Sequence, residues 1–407
     1  MTDPVVLVVG AGPAGLSAAR ELAGRGVGPV LVVDRESTAG GVPRHCDHTG
    51  FGVTDLHRSM PGPAYAQRLA ARAVDAGAEL RLSTTVAEVS RDGAVTLVGA
   101  GGVEVLHPQV VLLATGARER PRSARLVPGD RPAGVFTTGQ LQQWVLGDLP
   151  VGRRAVVVGA EHVAYSAVLT LRHAGVTTVA MVTDLPRHQS VPAFAWVARL
   201  GLRVPLRTSS QVSALHGHGR LDAVDVEDLV TGSVDRLEVD TVVFTGDWVP
   251  DHDLARRMEV GTDRVTLGPR TDGWGRTTRA GAVAAGNLVH PGETAGVAAL
   301  SGRTAARRLV DDLARGAYPV IGGVDLVAER SLASVVPAVV DPLDLPSRLL
   351  VRTAAFTDLR LVVVRQGGRE IGRHRLRHTV PRRTQKVPGS VLVGAAVDGG
   401  PIELGLQ

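Results

Sequence analysis

Gly10, Gly12 and Gly15 form a G-x-G-x-x-G run between a short β-branched segment and a segment whose apolar spacing predicts a helix. The first glycine permits a sharp turn, the second lets a pyrophosphate approach the backbone, and the third lets helix and strand pack closely. A helix N-terminus at that point offers unpaired N–H groups and a partial positive charge to phosphates. Asp34 ends the next strand about 20 residues past Gly15, where a carboxylate can accept both hydroxyls of a ribose. The plain alternative is a glycine turn kept for packing; strand, helix and acid together favour a dinucleotide ligand.

Residues 153–184 repeat this layout, but the second motif reads Gly159-Ala160-Glu161-His162-Val163-Ala164. Glu161 holds the place of the second glycine. Its side chain blocks close backbone approach, and its carboxylate would face a pyrophosphate of like charge. Ordinary NAD(P)H binding is therefore doubtful here. Asp184 can still accept a ribose, and no basic pair reads a 2′-phosphate, which leaves NADPH the weaker of the two ligands. The alternative is a unit that survives only as a scaffold.

The elements that must position these residues are two βαβ halves, residues 4–34 and 153–184, so the expected fold class is α/β with two Rossmann-like dinucleotide-binding domains. VVLLATGARERPR (110–122) and TVVFTGDWVPD (241–251) are strands that break at glycine, and residues 280–309 read as strand, Gly-Asn turn and long small-residue helix. From about residue 320 short valine-rich alternating runs surround Gln366-Gly367-Gly368, the pattern of a small β domain. With 407 residues, 44% hydrophobic and 21% charged, the chain has material for more than one core and is neither disordered nor a disulfide-stapled miniprotein. Forty-nine glycines without a three-residue period exclude collagen, and 3% aromatics argue against base stacking on single-stranded nucleic acid. No apolar run of about 20 residues exists, so no membrane span is expected, and the first residues do not read as a signal peptide. A single cysteine, Cys46, precludes an intrachain disulfide and fits a cytoplasmic setting. Scattered histidines with one cysteine match no zinc or iron–sulfur spacing, so no metal site is expected.

GAGPAGL, ATGARERP and AAGN followed by a helix occur in the order seen in flavoproteins of the pyridine nucleotide–disulfide oxidoreductase class, which residues 4–310 resemble. The resemblance implies FAD on the first unit and the second unit inserted within the first. The division it suggests is 1–120 and 251–316 for the FAD-binding domain, 121–250 for the NAD(P)-type domain, and 317–407 for the small C-terminal β domain. GGVPRHC, ATGARERPR and RPAGVFTTGQLQ further resemble FAD subunits of multicomponent amino-acid, opine and cyanide-forming dehydrogenases. GGVPRHCDHTGFG is similar to flavoproteins partnered with glycerol-3-phosphate-dehydrogenase-like proteins.

Carried onto this sequence, the resemblance implies that Gly10, Gly12 and Gly15 hold the FAD pyrophosphate and Asp34 the adenosine ribose. Val86, after the strand of TTVAEV, would meet the adenine through its backbone, and Thr115 and Gly116 would pass beside the cofactor. Gly286-Asn287 matches a Gly-Asp pair at the ribityl chain; Asn keeps an acceptor oxygen without the charge. A helix starting near Glu293, with Thr294 and Ala295, would aim its N-terminus at the flavin pyrimidine, or be an ordinary helix start. Pro13, Ala14, Arg35, Gly41, Arg44 and Ala114 complete the expected cofactor-binding set. The redox dithiol of the class needs two cysteines, so it is ruled out within this chain. Cys46 could act singly, its pKa lowered by Arg44, His45 and His48 if they are close, or be a half-buried structural thiol. His45 and His48 fall in the loop that the class places near the flavin, as proton carriers or as structural residues.

Between Arg348 and Lys386 arginines are dense, and Arg373, Arg375 and Arg377 share a strand face, either solvated or a docking patch for an acidic partner or a lipid surface. With a net charge of only +5, nucleic acid is not an expected partner. The first expectation is an FAD-dependent oxidoreductase, one component of a multicomponent dehydrogenase acting on a small-molecule substrate or a partner redox subunit within an oligomer or hetero-complex. The alternatives are a self-sufficient NAD(P)H-dependent reductase and a catalytically silent FAD-binding subunit.

Overall fold

The computed structural model describes residues 3–190, 203–318 and 320–407. The β-branched run beside the first glycine turn forms the strand Val6–Val9, wholly buried because it lies inside a parallel sheet covered on both faces. Its sheet runs Ala282–Ala284, Val110–Leu113, Val6–Val9, Val30–Val33 and Glu79–Arg81 in spatial order, all parallel. The chain leaves this sheet after Leu113 and re-enters it at Ala282, far along the sequence but directly alongside in space.

Between those points it builds a second parallel sheet, ordered Leu206–Arg207, Thr177–Val182, Arg154–Val158, Thr241–Phe244 and Val135–Thr137. Each sheet carries a three-stranded antiparallel appendage, residues 84–106 on the first and 210–238 on the second. Where the chain crosses between the units, Ala117–Glu119 and Trp248–Pro250 pair as an antiparallel ribbon. The second Rossmann-like domain is thus inserted in the first.

The helix Pro13–Gly24 follows the first strand and buries Leu16, Ala18, Ala19 and Leu22 against the sheet. Burial of each leucine contributes about 2 kcal/mol. Its N-terminal end crosses the helix Ala295–Ala314 at very close range: a Cβ added at Gly302 would stand 2.0 Å from the Ala14 carbonyl oxygen. That approach ties the last strand and helix of the first domain to the first glycine turn.

The tail forms a small β domain of two sheets around Leu349, Val351, Val362, Val364, Ile402 and Leu404. Thr357–Gln366 and Arg369–Thr379 make the hairpin expected around Gly367-Gly368. Arg373, Arg375 and Arg377 lie exposed on Arg369–Thr379, which is an edge strand of its sheet. Charge on an edge strand discourages unwanted strand pairing, which suffices to account for it. No helix among the described residues is long and apolar enough to cross a membrane.

Candidate functional site

The C-terminal ends of the first-sheet strands open onto one cavity of about 1870 Å³, which continues to the second glycine turn and to the C-terminal β domain. This exceeds the usual 300–1,000 Å³ of a small-molecule site and leaves volume for a dinucleotide. Gly10, Gly12, Pro13, Ala14, Asp34, Arg35, Gly41, Arg44, Val86, Ala114, Thr115, Gly116, Asn287, Glu293, Thr294 and Ala295 all line it, as do His45, Cys46 and His48. Gly15 and Gly286 stand behind the wall: a Cβ on Gly15 would lie 1.9 Å from the Gly10 carbonyl oxygen, and one on Gly286 2.6 Å from Ala14 Cβ. At Gly12, by contrast, a Cβ would meet nothing within 4 Å. The turn therefore leaves bare backbone facing open cavity at the one position where the motif needs it.

Asp34 is held at the rim of this turn, its carboxylate accepting from the Ala11 N–H at 2.6 Å and the Glu36 N–H at 2.9 Å. Arg35 leans towards Asp251 at 3.6 Å, and Thr115 Oγ1 donates to the Asp251 carbonyl at 2.7 Å. Val86 lies within the strand Thr84–Val89 rather than after it, and still faces the cavity.

The far end of the cavity departs from the expectation in two respects. The helix begins at Ala295, with Thr294 as N-cap, two residues later than the sequence suggested, because residues 287–293 are closed into a loop of their own. Asn287 staples that loop: its Oδ1 accepts from the Glu293 N–H at 2.9 Å and its Nδ2 donates to the Glu293 carbonyl at 3.1 Å. Glu293 itself turns away to the C-terminal domain, where Oε1 accepts from Arg352 Nη2 at 2.8 Å and from Thr384 Oγ1. Buried His290 lies 2.9 Å from the same carboxylate. Burial alone would raise the Glu293 pKa, but His290, Arg352 and Thr384 outweigh it and keep the carboxylate ionised. Burial, aided by the Arg352 charge, lowers the His290 pKa against the opposing pull of Glu293.

Cys46 is buried, its Sγ 3.6 Å from the Val42 carbonyl oxygen. Burial pushes its pKa up to about 12; the Glu119 charge adds to the rise and a hydrogen bond from Gln142 opposes it. Of the two readings of Cys46, a thiol ionised by close cations and a structural thiol, this burial favours the second. Arg44 is turned to Glu36, at 2.6 Å, and to the Thr38 carbonyl, and its Nε donates to His45 Nε2 at 2.9 Å. Burial, then the Arg44 charge, lowers the His45 pKa. His48 reaches across to the inserted domain, with Nε2 2.7 Å from Ser166 Oγ, and Gln142 Nε2 donates to the same hydroxyl at 3.0 Å. The 42–48 loop is therefore a contact between the two domains, with His48 at the cavity and Cys46 as a protonated, packed thiol.

At the second glycine turn Glu161 folds back onto its own backbone. Oε2 accepts from the Ala160 N–H at 3.0 Å and Oε1 from Thr245 Oγ1 at 2.5 Å. The carboxylate occupies the ground over Gly159 and Gly246, where added Cβ atoms would lie 2.8 Å from its oxygens. Asp184 lines the same cavity and pairs with Arg382 at 3.1 Å; both side chains are about half exposed, so this pair stabilises little. Gln189 Nε2, buried, donates to the Pro381 carbonyl at 3.1 Å, so a turn of the C-terminal domain rests on the inserted one.

Sequence reasoning missed Glu119, a buried carboxyl on the crossing ribbon. Its Oε2 accepts from the Gly139 N–H at 2.9 Å while Oε1 has no partner. Burial, with help from the Glu161 charge, raises its pKa to about 7 against the donors at Gly139 and Thr138. A raised carboxyl pKa favours the folded state most below the unfolded value near 4.5, and that contribution is lost as pH rises through 7. Raising the pH from about 5.5 to about 8.5 is expected to lower stability in urea melts by about 2 kcal/mol through this group, and Glu119→Gln to flatten the profile. Equal pH profiles for the two proteins would refute it. Arg352, Thr384 and His290 were also missed: nothing local in RLLVRT or TQKVP marks which domain that strand face will meet, and nothing in NLVHPGE marks the partner of His290. No group of three potential metal ligands occurs among the described residues.

Two Rossmann-like domains, one threaded through the other and both opening on one cavity, define the architecture of a dinucleotide-dependent flavoprotein oxidoreductase. The chain belongs to the pyridine nucleotide-disulphide oxidoreductase family, whose model matches residues 4–302. It is an oxidoreductase of a flavin-binding family. It is 31% identical over 266 residues to the alpha subunit of sarcosine oxidase from Corynebacterium sp. (strain P-1), covering 60% of this chain and 26% of that one. It is 28% identical over 343 residues to an opine oxidase subunit from Agrobacterium tumefaciens (strain Ach5), covering 76% of this chain and 65% of that one. The chain thus spans less than two thirds of the length of either relative. Thioredoxin reductase of T. acidophilum shares the fold, with a TM-score of 0.64 at 22% identity over 77% of this chain and all of that one.

Proposed function

We propose that this protein is the FAD-carrying subunit of a multicomponent dehydrogenase that oxidises a small organic substrate or receives electrons from a partner redox subunit. The observation that carries this reading is the contrast between the two glycine turns. The first is open at Gly12 and faces the cavity; the second is filled by Glu161. On this reading the FAD-binding domain is 1–120 with 251–316, the inserted domain is 121–250, and 317–407 is the C-terminal domain. Gly10, Gly12, Pro13 and Ala14 with the helix N-terminus seat the pyrophosphate, and Asp34 the ribose. The Asn287–Ala295 loop seats the far end of the cofactor. FAD, when bound, supplies two-electron acceptance. The chain's own part is to hold that group, keep the loop rigid through Glu293 and Arg352, and present His48 at the cavity wall. Both oxidase relatives are, by name, subunits, which supports a hetero-complex. A single cysteine agrees with a reducing compartment such as the cytoplasm.

The second reading, a self-sufficient NAD(P)H-dependent reductase, is favoured by the thioredoxin-reductase-like fold. Glu161 opposes it, and one cysteine rules out a dithiol within the chain. Anaerobic stopped-flow mixing separates the two. The purified protein is expected to carry one FAD per chain and to show no bleaching by NADH or NADPH within seconds. Full reduction on that scale, with micromolar nucleotide affinity, would establish the second reading instead, and a protein that cannot be loaded with FAD would sink both.

A further inference from the structure

Part of the cavity wall comes from the C-terminal domain. Its strands Arg348–Thr353 and Thr384–Pro388 pair antiparallel, with Leu350 opposite Lys386 and Arg352 opposite Thr384. Strand alternation sends Leu349, Val351 and Val387 into the domain core, each at 0% exposure. The opposite face, Leu350, Arg352, Thr384 and Lys386, lines the cavity. Two of these four are spent, because Arg352 and Thr384 both bond the Glu293 carboxylate. Leu350 and Lys386 remain open.

Lys386 is the single lysine in a chain with 45 Lys and Arg residues. Among the described residues it has neither an ion pair nor a side-chain hydrogen bond. The positive charge of neighbouring Arg352 is offset by Glu293, so this strand face presents the unpaired charge of Lys386 beside an apolar side chain. Arg383, in the turn before the strand, also lines the cavity without an ion pair among the described residues and lies towards His162 of the inserted domain. A compact ammonium on a flexible stem suits a single carboxylate, whereas a phosphate dianion is met by clustered cations or the fork of a guanidinium.

We infer that Leu350 and Lys386 form a subsite for the carboxylate end of a small monoanionic substrate with an apolar body. The inference rests on the proposed function, in that the same cavity is taken to hold the flavin. It narrows the substrate class to small carboxylic acids, amino or hydroxy acids among them.

Benzoate and its uncharged analogue benzamide probe the subsite, titrated into the FAD-loaded protein and followed by calorimetry and by the flavin difference spectrum. Wild type is expected to bind benzoate at least about tenfold tighter than benzamide, and tighter than inorganic phosphate. Lys386→Met should remove that preference, Lys386→Arg should keep most of it, and Leu350→Ala should weaken benzoate and benzamide alike. Equal affinity for benzoate and benzamide in wild type, no benzoate binding below about 50 mM, or an unchanged preference in Lys386→Met each overturns the subsite. Phosphate binding tighter than benzoate overturns the carboxylate assignment. FAD content per chain, measured in every variant, reports separately on the flavin reading, which stands if FAD is retained while the carboxylate preference fails.

Discussion

Gly12→Val is expected to give a folded protein stripped of FAD. The Cβ position at Gly12 has nothing within 4 Å, so the fold tolerates a side chain there. That space is where the pyrophosphate must come against the backbone, and a valine would fill it. Affinity for FAD should fall by about 100-fold or more, about 2.7 kcal/mol, read as flavin absorbance per chain after gel filtration with added FAD. Circular dichroism should be unchanged. Gly15→Val is the contrasting variant: its Cβ would stand 1.9 Å from the Gly10 carbonyl oxygen, so it should fail to fold rather than merely lose flavin. Stoichiometric FAD in a well-folded Gly12→Val protein would refute the placement of the cofactor.

The second large effect concerns the cluster that joins the C-terminal domain to the cavity loop. Glu293→Gln removes the anion from a site where Arg352 and His290 are buried, leaving a guanidinium without its counter-charge. Removing one partner of such a pair destabilises by about 3–5 kcal/mol, whereas removing both is far milder. Thermal or urea unfolding should show that loss for Glu293→Gln, and the double variant Glu293→Gln/Arg352→Met should recover at least half of it. Additive losses in the double variant would show that the two side chains act independently. The Asn287 staple should loosen in the single variant too, since its partner atoms are the backbone of residue 293.

The first glycine turn was legible from local order alone. Strand, turn and helix follow one another within residues 4–34, each dictated by its own side chains, and the turn needs no distant partner to take shape. The same held for the repeat at 153–184 and for the departure at Glu161, because a side chain in place of a glycine is visible in any context. The Gly367-Gly368 hairpin was equally local.

What only the tertiary structure decided is the state and company of the groups around that frame. Cys46, His45, Arg44 and His48 are close in sequence and left open an ionised thiol beside a structural one. In the fold the thiol is buried, the arginine turns to Glu36 and His48 crosses to Ser166, so proximity along the chain did not become proximity of charge. Glu119 looks like any surface glutamate in ARERP, and its raised pKa arises from burial at the crossing ribbon beside Glu161. Glu293 and Arg352 are brought to 2.8 Å only when the C-terminal sheet lays one face against the cavity loop. Backbone turns are set by the conformational needs of a few consecutive residues. Burial, ionisation and counter-charge depend on segments that meet only after the whole chain has packed.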